Sequence, residues 1–195
     1  MAEAAVRQAT YADLEAVPEH LVAGIIDGVP EVHPQPRQAG AAVRLGGELD
    51  LTFNRGRGGP RGWIVMIEPE LHLGSQIVVA DLAGWRRTRM PTEPEGAEIE
   101  TSPDWVCEIL SPSTIRLDRG RKRSISGEAG IGHRRLLDPA AGVLEGFALA
   151  DGRWVRLATV QRGESVALPC FDAVPFPLDD LFPFDDPAAP ALPET

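Results

Sequence analysis

The stretch Pro103-Asp-Trp-Val-Cys-Glu-Ile-Leu-Ser-Pro-Ser-Thr114 decides how the rest of the chain is read. A short apolar run carries a single carboxylate, Glu108, and breaks at Ser111-Pro112. Side chains of a strand alternate between faces, so Val106, Glu108 and Leu110 share one side and Trp105, Cys107 and Ile109 the other. An acid inside a buried strand needs a cation, a metal or hydrogen-bond donors, because an unpaired buried charge is costly or neutralises itself. A strand-end glutamate that reaches solvent or an arginine satisfies the same pattern.

The 195 residues suit one domain with a real core, expected over 1–184, followed by a Pro- and Ala-rich tail, 185–195, expected to be disordered. Cys107 and Cys170 stand in apolar surroundings without CxxC spacing, as reduced buried thiols do. No basic region followed by an apolar one opens the chain, and no apolar run approaches the ~18 residues of a membrane span. The expectation is a cytoplasmic protein with no membrane partner. A formal net charge of -10 disfavours general affinity for phosphate backbones while leaving room for a local basic patch. Of 19 basic residues, 18 are arginine and one is lysine, Lys122, which makes that lysine worth following.

Around the central run, Thr10 with Asp13 three residues on opens a short helix, which Pro18 ends or restarts. Val22 to Ile26, Asp27-Gly28 and Val29 to Val32 read as a hairpin whose second arm Pro30 confines to an edge. Gln38 to Phe53 places Ala41, Ala42, Leu45, Leu49 and Phe53 on one helical stripe. Arg55 to Gly62 is a glycine-rich segment, an RGG-like nucleic-acid element or, on the plainer reading, a flexible connector. Trp63 to Ile67 and Gln76 to Val79 are strands, the second ending at Ala80-Asp81. Leu82 to Met90 reads as a short helical or turn segment whose three arginines are a solvated face or a place for phosphates. After the surface loop from Pro91 to Pro103 and the central strand, Ser113 or Thr114 caps a helix running through Asp118 and Lys122. Arg135 to Asp138 is a strand, Val143 to Leu149 and Arg153 to Val160 form a hairpin about Asp151-Gly152, and the segments to Phe182 close the fold.

Asp81 and Glu108 both lie near strand ends followed by turns, where open α/β sheets place ligands. Two converging carboxylates suit Mg²⁺ or Mn²⁺, and such an ion serves phosphodiester hydrolysis. Lys122 could then orient the attacking water or counter developing charge. Asp118 and Lys122 are also i,i+4, and a solvated helix pair explains both. His20, His33, His72 and His133 lack zinc spacing, Ser111 and Ser113 lack a nucleophile elbow, and no Walker or Rossmann glycine pattern occurs.

Leu73-Gly74, Val78-Val79-Ala80-Asp81-Leu-Ala-Gly-Trp-Arg-Arg87, the 103–114 stretch, Asp118-Arg119, Lys122 and Leu137-Asp138-Pro139 together resemble the bacterial putative restriction endonuclease family of the PD-(D/E)XK nuclease superfamily. The likeness runs from about Thr10 to Phe182. It implies an α/β (α+β) restriction-endonuclease-like core, a mixed sheet flanked by helices. It further implies a Mg²⁺ site at Asp81 and Glu108, action on nucleic acid (DNA above all) and a homodimer. The superfamily lysine two residues after the acid is Leu110 here, and Lys122 on the following helix corresponds to its replacement in this family. The chain departs from the family pattern at Gly24, where an acid is usual, and at Gln38, Ala80, Ser126 and Arg135. Two expectations follow: a metal-dependent endonuclease using Asp81, Glu108 and Lys122, or a catalytically degenerate nuclease fold serving as a binding or assembly module.

Overall fold

The computed structural model describes residues 8–17, 21–34 and 39–182. Pro18, His20, Gln38 and the expected tail 185–195 lie outside them. The chain order begins α1 (Tyr11–Glu15), β1 (Leu21–Ile26), β2 (Val29–Pro34) and α2 (Ala39–Leu49), which continues as a π-helical turn, Asp50–Asn54. Then come β3 (Trp63–Ile67), β4 (Glu70–Leu73), β5 (Gln76–Val79), β6 (Leu82–Arg86), β7 (Glu98–Ile99) and β8 (Trp105–Ile109). Two short helices, α3 (Ile115–Arg119) and α4 (Arg121–Glu128), lead to β9 (His133–Asp138), β10 (Val143–Ala150) and β11 (Arg153–Gln161). A small ribbon of β12 (Ser165–Val166) and β13 (Phe176–Pro177) and a 3₁₀ turn, Leu178–Leu181, complete the fold.

Among the described residues, β8 sits inside a mixed six-stranded sheet of order β11-β10-β9-β8-β6-β3, parallel to β9 and antiparallel to β6. A second mixed sheet has the order β2-β1-β5-β4-β7. All five residues of β8 are buried, as a central strand covered on both faces requires. Its two faces part as alternation dictates. Trp105, Cys107 and Ile109 join one apolar cluster with Ala41, Ala42, Leu45, Leu49 and Phe53 of the α2 stripe. Val106 joins the other, with Leu71 and Val78 of the five-stranded sheet. α2 approaches the sheet closely at Gly46, where a Cβ would stand 3.2 Å from Ile67 Cδ1.

Both Asp-Gly hairpins adopt the positive φ pairs they call for, Asp27 at 52° with Gly28 at 74° and Asp151 at 49° with Gly152 at 72°. β2 is an edge strand, as its proline requires. Two expectations are corrected. Leu82 to Arg86 is a strand between β3 and β8, not a helical segment. Ala83 and Gly84 have little intrinsic strand preference, and pairing on both sides with full burial overrides it. The single helix through Asp118 and Lys122 is instead a pair broken at Gly120, which packs so tightly that a Cβ would lie 2.7 Å from the Arg116 carbonyl oxygen. No helix among the described residues is long and apolar enough to cross a membrane.

Candidate active site

Asp81 occupies the bend between β5 and β6, where pairing of β6 with β8 carries it to the end of the central strand. Its Oδ2 accepts a hydrogen bond from the Ile109 backbone N–H at 2.6 Å. Glu108 is 1% exposed and points to the same face as Val106, as alternation requires. α4 brings Lys122 over that face. Its Nζ donates to Glu108 Oε2 at 3.0 Å and to the Val79 carbonyl oxygen at 3.0 Å. Asp118 Oδ1 lies 3.3 Å from the same ammonium, as an ion pair rather than an aligned hydrogen bond. Asp118 and Lys122 are 1% and 8% exposed, so the i,i+4 pair is not a solvated one.

The electrostatics follow from burial. Desolvation pushes the Glu108 carboxyl up to about 7, opposed by the Lys122 charge and reinforced by Asp118 and Asp81. Desolvation also lifts Asp81 to about 6, opposed by the Ile109 N–H and Lys122. Burial alone would lower Lys122, but Glu108, Asp118 and Asp81 outweigh it and hold the amine above its ordinary range. Lys122 therefore remains an ammonium.

Sequence reasoning left three contributors unassigned. Asp118 was visible only as a helix partner, yet it is buried, with Lys122 beside its carboxylate and Arg134 of β9 on its carbonyl oxygen. Arg134, 1% exposed, donates through Nη2 to the Asp118 carbonyl oxygen, and nothing in His-Arg-Arg marks it as internal. Glu68 has a positive φ of 51° and donates its N–H to the Asp81 carbonyl oxygen at 3.0 Å. It lines, with Glu70 and Glu93, an open cleft of about 640 Å³ beside the β3 edge. Cys107 and Cys170 are both free thiols, the first fully buried and the second partly exposed.

The profile of the family described as Uma2, putative restriction endonuclease, matches residues 9–178. The chain belongs to this family. The crystal structure of a putative nuclease from Anabaena variabilis is similar in fold, with a TM-score of 0.70 and 18% sequence identity over 88% of this chain and 95% of that one. No curated protein matches the sequence.

Within this Uma2 family chain, two buried carboxyls, Glu108 and Asp118, and the half-buried Asp81 lie near the cations Lys122 and Arg134. The donor set is hard oxygen with more acid than base, the chemistry a divalent ion such as Mg²⁺ or Mn²⁺ takes, and Asp81 and Glu108 are the carboxyls that would hold it. Among the described residues no group of three or more His, Cys, Asp or Glu is disposed as a ready-made metal cage. Gly24 bears on this. A Cβ there would stand 2.7 Å from the Ile77 carbonyl oxygen, because β5 closes on β1. The glycine lines a cavity of about 20 Å³ with Glu31, Leu117 and Lys122, room for about one water. Ser126 donates its hydroxyl to the Lys122 carbonyl oxygen at 2.7 Å, which fastens the turn that carries the lysine. Arg135 fills its slot by lying over Trp105 and Phe171, 5.5 and 5.3 Å from the ring centres, and by donating to the Leu168 carbonyl oxygen at 2.7 Å.

Proposed function

We propose that this protein is a metal-dependent endonuclease that hydrolyses phosphodiester bonds of nucleic acid, DNA in the first place, at Asp81, Glu108 and Lys122. One observation carries the reading: the single lysine of the chain is buried against Glu108 at 3.0 Å, beside the bend that bears Asp81. Asp81 and Glu108 would hold Mg²⁺ or Mn²⁺, which supplies Lewis acidity and a more acidic bound water. Because Lys122 stays protonated, its role is electrostatic: it counters charge that develops on the phosphoryl oxygens and holds Glu108 in place. The Val79 carbonyl and the Ser126 hydroxyl fix the lysine for that task. The protein would act in the cytoplasm as a homodimer of single-domain chains.

A second reading, a degenerate nuclease fold serving as a binding or assembly module, draws on Gly24 and on the acidic cleft of Glu68, Glu70 and Glu93, which repels a polyanion unless cations intervene. The test is cleavage of plasmid and single-stranded DNA with Mg²⁺ or Mn²⁺, beside calorimetry of metal binding, for wild type, Asp81→Asn and Glu108→Gln. Metal-dependent cleavage that both variants lose supports the first reading. Cleavage unchanged in them sinks the site assignment, and neither cleavage nor metal binding by folded wild type selects the second.

A further inference from the structure

Asp81 stands just before β6 and Arg87 just after it, so the two ends of one buried strand lie on the order of 20 Å apart at ~3.3 Å per residue. The far end is basic. Arg87 meets the glycine-rich segment there, and Asn54, Arg55, Arg57, Arg61, Gly62 and Arg87 line an open depression of about 750 Å³ that contains no carboxylate and no apolar side chain. The segment is folded into this shape by Gly56, Gly58 and Gly62 at φ values of 72°, 77° and 122°. It is fastened where Arg87 N–H donates to the Gly62 carbonyl oxygen at 2.8 Å.

Neighbouring arginines are accounted for elsewhere. Arg86 lies over the Trp63 ring, Arg89 pairs with Asp104 at 2.9 Å, and Arg55 pairs with Asp50 at 2.6 Å. Of the remaining three, Arg61 and Arg87 are held by neutral acceptors, which orient a guanidinium without cancelling its charge. Arg61 Nε donates to the Arg55 carbonyl oxygen at 3.2 Å, Arg87 Nη2 donates to Asn54 Oδ1 at 2.7 Å, and Arg57 has no carboxylate within ion-pair distance among the described residues. Guanidinium forks so arranged match phosphate oxygens. The depression is wide and its arginines are all exposed, so it suits a chain of phosphates passing over it better than a small anion that must be enclosed.

We propose that this arginine pocket is a contact point for nucleic-acid backbone phosphates, remote from the carboxylates and supplying the affinity that the acidic surroundings of Asp81 cannot. That the same molecule reaches Asp81 rests on the nuclease reading. At ~3.4 Å per base pair the separation corresponds to about six base pairs of duplex.

The experiment measures binding of duplex DNA by fluorescence anisotropy over a salt series without divalent metal. It uses wild type, Arg57→Ala with Arg87→Ala, Arg57→Lys with Arg87→Lys, and Arg153→Ala, an exposed arginine outside the pocket, each checked for folding by thermal melting. Removing two phosphate contacts is expected to weaken binding of a 30-base-pair duplex at least tenfold and to reduce the slope of log K against log salt by about 2. The lysine pair and Arg153→Ala should keep the slope, and a 5-base-pair duplex closed by a hairpin loop should bind far more weakly than the long one. No duplex binding by wild type, or an unchanged slope in the alanine pair, overturns the proposal. So does equal binding of short and long duplexes with ready displacement by pyrophosphate, which would mark a small-anion site. Cleavage by wild type with Mn²⁺ is scored separately. Arginine-dependent binding without cleavage keeps the pocket and removes the nuclease reading; cleavage without arginine dependence does the reverse.

Discussion

At one end of β6, Glu108, Asp118 and Lys122 are withdrawn from solvent and paired with one another beside the half-buried Asp81; at the other, Arg55, Arg57, Arg61 and Arg87 are exposed around an open depression. The same strand thus separates two ways of handling charge. In the buried cluster each group is held by its neighbours, so its charge decides stability and protonation. In the arginine pocket water already solvates every cation, so charge contributes little to folding and is free to act on a partner. The first region is chemistry built into the core, and the second is a surface for association.

The contrast breaks most visibly at Lys122. Lys122→Ala leaves Glu108 and Asp118 buried without their cation and is expected to cost about 3–5 kcal/mol, whereas Arg87→Ala should shift stability by no more than ~0.5 kcal/mol. Urea denaturation of both variants checks this, and equal costs would erase the distinction.

Next in size is a pH dependence confined to the buried end. The Glu108 carboxyl rises from 4.5 to about 7, so the stability its protonated form provides is complete below its unfolded value, near pH 4, and is lost as pH rises through about 7. Glu108→Gln cannot ionise. The stability of wild type relative to this variant should therefore fall between pH 4 and pH 8, by up to roughly 3 kcal/mol, in metal-free buffer. A flat or rising difference would show that Lys122 fully compensates the carboxylate. Asp81, raised to about 6, acts in the same direction within wild type. Metal affinity should correspondingly increase over the same pH range, because ligand carboxyls must lose their protons.

A smaller effect sharpens the account of the buried end. Gly24→Ala sets a methyl 2.7 Å from the Ile77 carbonyl oxygen and should cost about 1–3 kcal/mol by thermal or urea unfolding. A neutral outcome would mean that β1 and β5 separate readily and that an acid could be restored at this position. Smallest of all is the response of the arginine end to salt. Raising salt from 0.05 to 0.5 M should leave the difference in melting temperature between wild type and Arg57→Ala essentially unchanged, because these exposed cations have no buried partner to lose.

Much of this was legible in the chain itself. Alternation in Trp105 to Leu110 separated the two apolar clusters, and the 3.6-residue stripe of Ala41, Ala42, Leu45, Leu49 and Phe53 named the buried face of α2. The Asp27-Gly28 and Asp151-Gly152 turns follow from residues that tolerate positive φ, and Asp81, Glu108 and Lys122 stood out as charges in unusual company. These are local properties, set by side-chain direction and backbone sterics within a few residues.

What the sequence could not decide depends on which distant segments meet. β6 is a strand because β3 and β8 supply partners on both sides, although Ala83 and Gly84 do not prefer that state. Asp118 and Arg134 are ordinary surface residue types, yet the fold buries both and joins them through the Asp118 carbonyl oxygen. Gly24 excludes a side chain because of the Ile77 carbonyl, which belongs to another strand. The arginine pocket joins Arg57 and Arg61 to Arg87, which the chain brings together by pairing β3 with β6. Burial, desolvation and charge clustering are sums over neighbours from separate parts of the chain, and only tertiary packing fixes those neighbours.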